Sequence, residues 1–188
     1  MTAKSRLRKK MRRIVDAITP AEVASISEKI CLHLIENTKL LENISTIAVY
    51  SAHKNEIDLC SLHQLLPDKM LVYPLCHPDS RLSFHHVPHV DSLTPGMLNI
   101  LEPVPKRHQE QPTDEIDLFL CPGLAFNHDG TRLGQGGGFY DRMLQRRKPS
   151  ATTIGISMTL QVIGNIPSET HDICMDYLLT EEGFHSVN

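Results

Sequence analysis

The sequence has no tryptophan, and aromatic residues make up only 5% of its 188 positions. Nucleic-acid readers interleave aromatic with basic side chains to stack bases, and that pattern is missing here. Long apolar runs are missing too. The longest charge-free stretch, residues 149–168, holds too few apolar side chains to span a bilayer. The first 13 residues are basic and polar with no apolar segment behind them, so they do not read as a secretory signal. Five cysteines (Cys31, Cys60, Cys76, Cys121, Cys174) include no CxxC pair and are odd in number, which suits reduced thiols in the cytoplasm better than a disulfide framework. No Gly-x-Ser-x-Gly elbow supports serine chemistry. No repeat or low-complexity tract suggests a solenoid or a linker.

What is present is ordinary globular composition, 40% hydrophobic and 22% charged, over a length that predicts one domain spanning residues 1–188. Charge is distributed unevenly. Seven of the 19 basic residues (Lys4, Arg6, Arg8, Lys9, Lys10, Arg12, Arg13) lie in the first 13 positions, leaving 12 against 22 acidic residues for the rest. A basic head on an acidic body fits an anionic ligand held at the N-terminus, a nucleic-acid arm or a transit peptide. The acidic body argues against nucleic acid.

Apolar spacing predicts a first helix over residues 3–17, with Leu7, Met11, Ile14, Val15 and Ile18 on one stripe. Thr19-Pro20-Ala21-Glu22 reads as a capping box that opens a second helix, burying Val23, Ile26, Ile30 and Leu34. Short apolar runs then predict strands at 46–50, 71–74, 82–86, 116–121, 153–157 and 176–179, with helices at 59–66 and 140–146 between them. That alternation predicts an α/β sheet covered on both faces, with ligands bound beyond the carboxyl ends of its strands.

The chemistry concentrates in residues 122–142, a long segment that leaves a strand and enters a helix. Gly134, Gly136, Gly137 and Gly138 clear side chains so that backbone N–H groups can approach an anion, flanked by Arg132 and Asp141. Neither a Walker motif nor a dinucleotide fingerprint fits. A flexible surface turn is the plainer alternative. Glu56 and Asp58 follow a predicted strand and serve either as ligand contacts or as helix caps. Asp172 and Asp176 are acceptable magnesium ligands or surface carboxylates. In His85-His86-Val-Pro-His89 adjacent strand side chains point to opposite faces, which disfavours a zinc site. Cys121 has no activating base nearby and reads as a buried structural thiol.

Taken in order, Lys4-Ser-Arg-Leu-Arg8, Asn55-Glu56-Ile57-Asp58, Leu101-Glu-Pro103, Pro122-Gly-Leu-Ala-Phe126, Arg132-Leu-Gly-Gln-Gly-Gly-Gly-Phe-Tyr-Asp141, Gln161 and His171-Asp172 with Asp176 resemble the 5-formyltetrahydrofolate cyclo-ligase family nearly end to end. The resemblance implies a Rossmann-like α/β/α sandwich of three layers around a mostly parallel or mixed sheet. It also implies ATP- and magnesium-dependent closure of 5-formyltetrahydrofolate to the 5,10-methenyl compound, with no covalent enzyme nucleophile. The cysteine usage predicts a cytoplasmic protein, and with no coiled-coil seam a monomer is the default expectation. Position by position, it implies that Lys4 and Arg8 contact ATP and that Arg132, Leu133, Gly134, Gln135, Gly136, Gly137, Gly138, Phe139 and Tyr140 wrap its phosphates. Asp141 and Asp176 would hold magnesium, while Ser51, Glu56, Phe139 and Tyr140 would meet the folate. Two positions depart from the pattern. Many members carry a basic residue where Gly137 stands and aspartate where Asn127 stands, so Asn127 is expected to keep only a turn-forming hydrogen bond. Rival readings are an enzyme of the same fold with another substrate, and an RNA-binding module.

Overall fold

A computed structural model describes residues 2–170 and 172–187. Helices α1 (Ala3–Asp16) and α2 (Pro20–Glu36) begin at their capping signals. The Thr2 hydroxyl accepts from the Ser5 N–H, and Thr19 and Glu22 close the reciprocal box expected of them. In chain order there follow α3 (Thr38–Leu41), β1 (Thr46–Ala48), α4 (Leu62–Leu65), β2 (Met70–Cys76), β3 (Leu82–His86), β4 (Thr94–Pro95), β5 (Leu101–Glu102) and β6 (Glu110–Gln111). The second half holds β7 (Leu118–Pro122), β8 (Ala125–Phe126), β9 (Arg132–Leu133), α5 (Phe139–Leu144), β10 (Thr152–Ile156), β11 (Tyr177–Thr180) and β12 (Gly183–Ser186).

Among the described residues eight strands form one mixed sheet in the order β12-β11-β10-β7-β1-β2-β3-β6. The five strands from β11 to β2 are parallel, and β12, β3 and β6 add antiparallel edges. Strand order reverses at β1, whose neighbours are β2 on one side and β7 on the other, so the loops leaving β1 and β7 diverge and open a crevice.

Alternation along the strands sorts the core into two layers. Leu118 and Leu120 of β7 face α2, packing with Ile30, Leu34, Ile47 and Ile154. Phe119 and Cys121 face the other way, toward Phe126, Met143 and Leu144. The three-layer arrangement is therefore present, but its second outer layer is built from the six residues of α5 and the β8–β9 hairpin rather than from long helices. That hairpin lies in the segment expected to be loop. Asn127 organises its turn, its Oδ1 accepting from the N–H groups of Asp129 at 3.2 Å and Thr131 at 2.9 Å.

At the amino end of the sheet, opposite the crevice, two carboxylates tie strands together. Asp117, just before β7, accepts from the Ser45 and Thr46 N–H groups and pairs with Lys148. Asp176, just before β11, accepts from the Thr153 N–H at 2.7 Å and the Thr153 hydroxyl at 2.8 Å.

Candidate active site

A cleft of about 760 Å³ lies beyond the carboxyl ends of β1 and β7. Helix α1 forms one wall because its apolar stripe, Leu7, Met11 and Ile14, packs on Leu124, Ala125, Leu133 and Ile166 beneath it. With that face buried, Lys4, Arg8 and Arg12, spaced by four, line the cleft together. Arg8 Nε donates to the Gly134 carbonyl at 2.9 Å. Arg12 donates to the side-chain and main-chain oxygens of Gln135. Lys4 Nζ donates to Asp172 at 2.7 Å and Glu169 at 3.0 Å. Burial works to lower the Lys4 pKa, but those two carboxylates outweigh it and hold the ammonium above its ordinary value.

The glycine segment crosses the same end of the cleft. Gly136 takes φ +108°, and a Cβ there would stand 3.4 Å from the Arg8 guanidinium carbon. Gly138, at φ 65°, is the left-handed residue from which α5 starts. Because α5 has six residues, fewer than two turns, the positive charge here comes chiefly from Lys4, Arg8, Arg12 and Arg132 rather than from a helix dipole. A side chain at Gly137 would meet the Phe139 ring at 2.7 Å, so Phe139 would have to move before this chain could carry a larger residue there.

Arg132 lies at the centre, with its side chain only 4% exposed. It donates to Asp141 Oδ1 at 2.8 Å and to the Pro122 carbonyl, and its guanidinium stacks over the Tyr140 ring at 5.3 Å. Its Nε is buried without a partner. Buried ion pairs hold position more than they stabilise, and removing one member typically costs about 3–5 kcal/mol.

The cleft also has an apolar lining, supplied by Tyr50, Pro74, Leu82, Ile100, Phe139 and Tyr140, the last two continuing directly from the glycine segment. Glu56 lines the same cleft, its Oε2 accepting from the His53 N–H at 3.0 Å. Burial raises its pKa, against hydrogen bonds from His53 and the Gln135 side chain that pull it down. Gln135 therefore links Arg12 of the phosphate-facing wall to Glu56. Ser51 also lines the cleft, with its hydroxyl oxygen buried and unpartnered.

Every expected ligand-contacting residue thus borders one cavity, with a single exception. Asp176 is at the amino end of β11 and bonded to Thr153, whereas Asp141 is at the opposite end of the sheet. The strand that follows Asp176, β11, runs four residues toward the cleft, roughly 13 Å at 3.3 Å each, so the structure does not bring these two carboxylates together. Asp172, four residues earlier, does line the cleft. Its neighbour His171 lies outside the described residues. Arg12 also reaches the site although motif matching did not select it; the continued spacing of four after Lys4 and Arg8 was the available signal. Gln161 clamps the loop after β7, donating to the carbonyls of Gly123 at 3.1 Å and Leu124 at 3.2 Å. Cys121 is sealed in the core and burial pushes its thiol up to about 12, in keeping with a structural role. Among the described residues no cluster of three or more His, Cys, Asp or Glu side chains has metal-binding geometry. Nor is any described helix long and apolar enough to cross a membrane.

Known proteins similar to this chain share one activity in their names. A mitochondrial 5-formyltetrahydrofolate cyclo-ligase from Arabidopsis thaliana is 33% identical over 65% of this chain and 56% of its own length. The cyclo-ligase of Haemophilus influenzae is 28% identical over 90% of this chain and 93% of its own. The solved 5,10-methenyltetrahydrofolate synthetase of Aquifex aeolicus superposes with a TM-score of 0.87 at 30% identity, covering 100% of this chain and 94% of that one. With the family model matching residues 1–181, the chain belongs to the 5-formyltetrahydrofolate cyclo-ligase family and is a ligase.

Proposed function

We propose that this cleft binds ATP at its cationic glycine-lined end and 5-formyltetrahydrofolate at its apolar end, and joins them in the cyclo-ligase reaction. The observation that carries the reading is that one cavity is lined both by phosphate-matched groups, Lys4, Arg8, Arg132 and the glycine segment, and by flat and apolar side chains, with Gln135 linking Arg12 to Glu56. The formyl oxygen of the substrate is a poor leaving group. Transfer of the γ-phosphoryl group to it breaks the terminal phosphoanhydride bond, releases ADP and gives an iminium phosphate. The neighbouring anilinic nitrogen then attacks the formyl carbon and loses its proton, and phosphate departs with the C–O electron pair to leave the methenyl cation.

The chain's contribution is positioning and charge neutralisation rather than covalent chemistry. Lys4, Arg8 and Arg132 balance phosphate charge, and backbone N–H groups of the Gly134–Gly138 segment supply donors without bulk. For Lys4 this requires exchanging its bonds to Asp172 and Glu169 for the nucleotide. Phe139, Tyr140 and the apolar wall exclude water from the phosphorylated intermediate. Asp141 and Asp172 border the phosphate end, and two carboxylates are the number magnesium ordinarily takes from protein when phosphates complete its shell. When bound there, magnesium neutralises the phosphate oxygens. Asp176 has no part in this assignment. A single domain over residues 1–188, working as a cytoplasmic monomer, completes the reading.

The test is to mix the purified chain with 5-formyltetrahydrofolate and magnesium ATP and to follow the near-ultraviolet band of the methenyl product. Growth that stops when ATP is omitted supports the reading, and a flat trace from protein that binds ATP moves it to another substrate. A pH profile should follow from Glu56. Its raised pKa leaves it protonated at a pH where an ordinary carboxylate is ionised, so it stops accepting substrate N–H bonds early as pH falls. KM for the folate should rise on acidification in the wild type and stay level in Glu56→Gln. The free protein should show the opposite trend in stability. An acid whose folded pKa is raised binds more protons folded than unfolded, so its contribution weakens as pH rises from the unfolded value through the folded one.

A further inference from the structure

Glu102 is a further carboxylate in this cleft, and none of the roles argued above uses it. It sits on β5, paired with Thr94 of β4, and is only 5% exposed. Its Oε1 is buried with no partner at hydrogen-bonding geometry, and the one donor beside the carboxylate among the described residues is the weak S–H of Cys76, a thiol that burial and Glu102 together push up to about 12. Pro74, Cys76, Leu82 and Ile100 line the cleft with it. Among the described residues no ion pair includes Glu102, and a phosphate would be repelled by it. Leaving a carboxylate oxygen buried and unpaired is costly, on the order of a few kcal/mol, which a ligand donor would relieve.

The backbone makes room for this side chain. Gly96 begins the turn that connects β4 to β5, and a Cβ on it would fall 2.2 Å from Glu102 Oε2. Glycine at 96 therefore lets the carboxylate occupy its place against the cleft.

We propose that Glu102 reads the pterin ring of the folate, accepting the ring amide N–H and the adjacent exocyclic amino group along one edge. Two N–H donors side by side match the two oxygens of a carboxylate as a guanidinium does. The surrounding Pro74, Leu82 and Ile100 keep water from competing, and Tyr140 provides a flat neighbour for the ring. This inference rests on the cyclo-ligase reading and adds a specificity residue to it, separate from Glu56.

The experiment compares 5-formyltetrahydrofolate with its 2-desamino-2-methyl analogue, which lacks the exocyclic amine. Wild-type enzyme should prefer the natural substrate in kcat/KM by roughly 10- to 100-fold, the range of a hydrogen bond to a charged group. Glu102→Gln should raise KM for 5-formyltetrahydrofolate by a similar factor, leave KM for ATP unchanged, and lose most of the discrimination. Gly96→Ala keeps the carboxylate but displaces it, and should show the same loss. A merely structural Glu102 would weaken both substrates equally, and that result overturns the proposal. So does a wild-type enzyme that accepts the analogue as readily as the substrate. Failure of the wild type to cyclise 5-formyltetrahydrofolate at all would instead overturn the cyclo-ligase reading itself.

Discussion

Asp141→Asn is expected to lower kcat by about three orders of magnitude, the scale on which removal of one group from a charge-stabilised transition state is felt. Asparagine keeps an oxygen to accept from Arg132 and so preserves the buried contact that Asp141 now makes at 2.8 Å. What it loses is the negative charge beside the phosphate end of the cleft. The melting temperature should also fall, because the guanidinium keeps its hydrogen bonds to asparagine and Pro122 and its place over Tyr140 but is buried without its counter-charge, so kcat is to be read per folded molecule. Asp176→Ala should instead spare turnover. It removes the acceptor for the Thr153 N–H and hydroxyl, at a cost of roughly 1–3 kcal/mol, or several degrees of melting temperature in a domain of this size. Turnover should stay within about twofold of wild type. Loss of activity in Asp176→Ala at an unchanged melting temperature would return a catalytic role to the amino end of the sheet.

That contrast shows where the sequence was legible and where it was not. A periodic stripe and a capping box carry their own start signals, so α1 and α2 begin at the expected residues. Strand 82–86 was found to the residue, because a polar turn, Pro78-Asp-Ser-Arg81, precedes it and Pro88 follows closely. By contrast β6 and β12 are short edge strands with polar residues among them, and nothing in their composition distinguishes them from loop. Helix 59–66 shrinks to α4, Leu62–Leu65, because Ile57 and Leu59 are buried by an extended segment rather than by a helical face. The β8–β9 hairpin was hidden for a related reason. Asn127 and Gly130 build a turn that reads as loop chemistry, and two residues on either side are too few to show alternation.

The misplacement of Asp176 has a different origin. Apolar alternation locates a strand but does not say which of its ends meets the ligand; that depends on whether neighbouring strands run parallel, which is a tertiary fact. Four residues separate Asp172 from Asp176, and in extended chain that distance decides whether a carboxylate reaches the cleft or ties strands on the far side. Glu102 was equally hard to assign from Leu-Glu-Pro alone, since only the close approach of Gly96 and an unpaired oxygen mark it out.

Three single glycine substitutions, one in the glycine segment and two outside it, separate the fold and site contributions. Gly164→Ala adds a Cβ into open space at an ordinary φ, and neither stability nor turnover should change appreciably. Gly183→Ala also meets nothing within 4 Å, but its φ is +110°, so it isolates the cost of forcing a side chain into that backbone region. The expected loss is on the order of 1–3 kcal/mol of stability, with normal turnover per folded molecule. Gly136→Ala carries a comparable strain, φ +108°, and places its Cβ 3.4 Å from the Arg8 guanidinium. Two requirements then conflict. Relaxing φ swings the backbone N–H groups away from the cleft, while keeping φ presses on the side chain that holds Gly134 through its carbonyl. Either response degrades the phosphate end, so kcat/KM for ATP should fall by about a hundredfold or more, a few kcal/mol of transition-state stabilisation. KM for the folate should change far less, because the three atoms nearest a Cβ at Gly136 all belong to Arg8. If Gly136→Ala matched Gly183→Ala in both stability and turnover, the glycine segment would be a strained surface turn rather than a phosphate cradle.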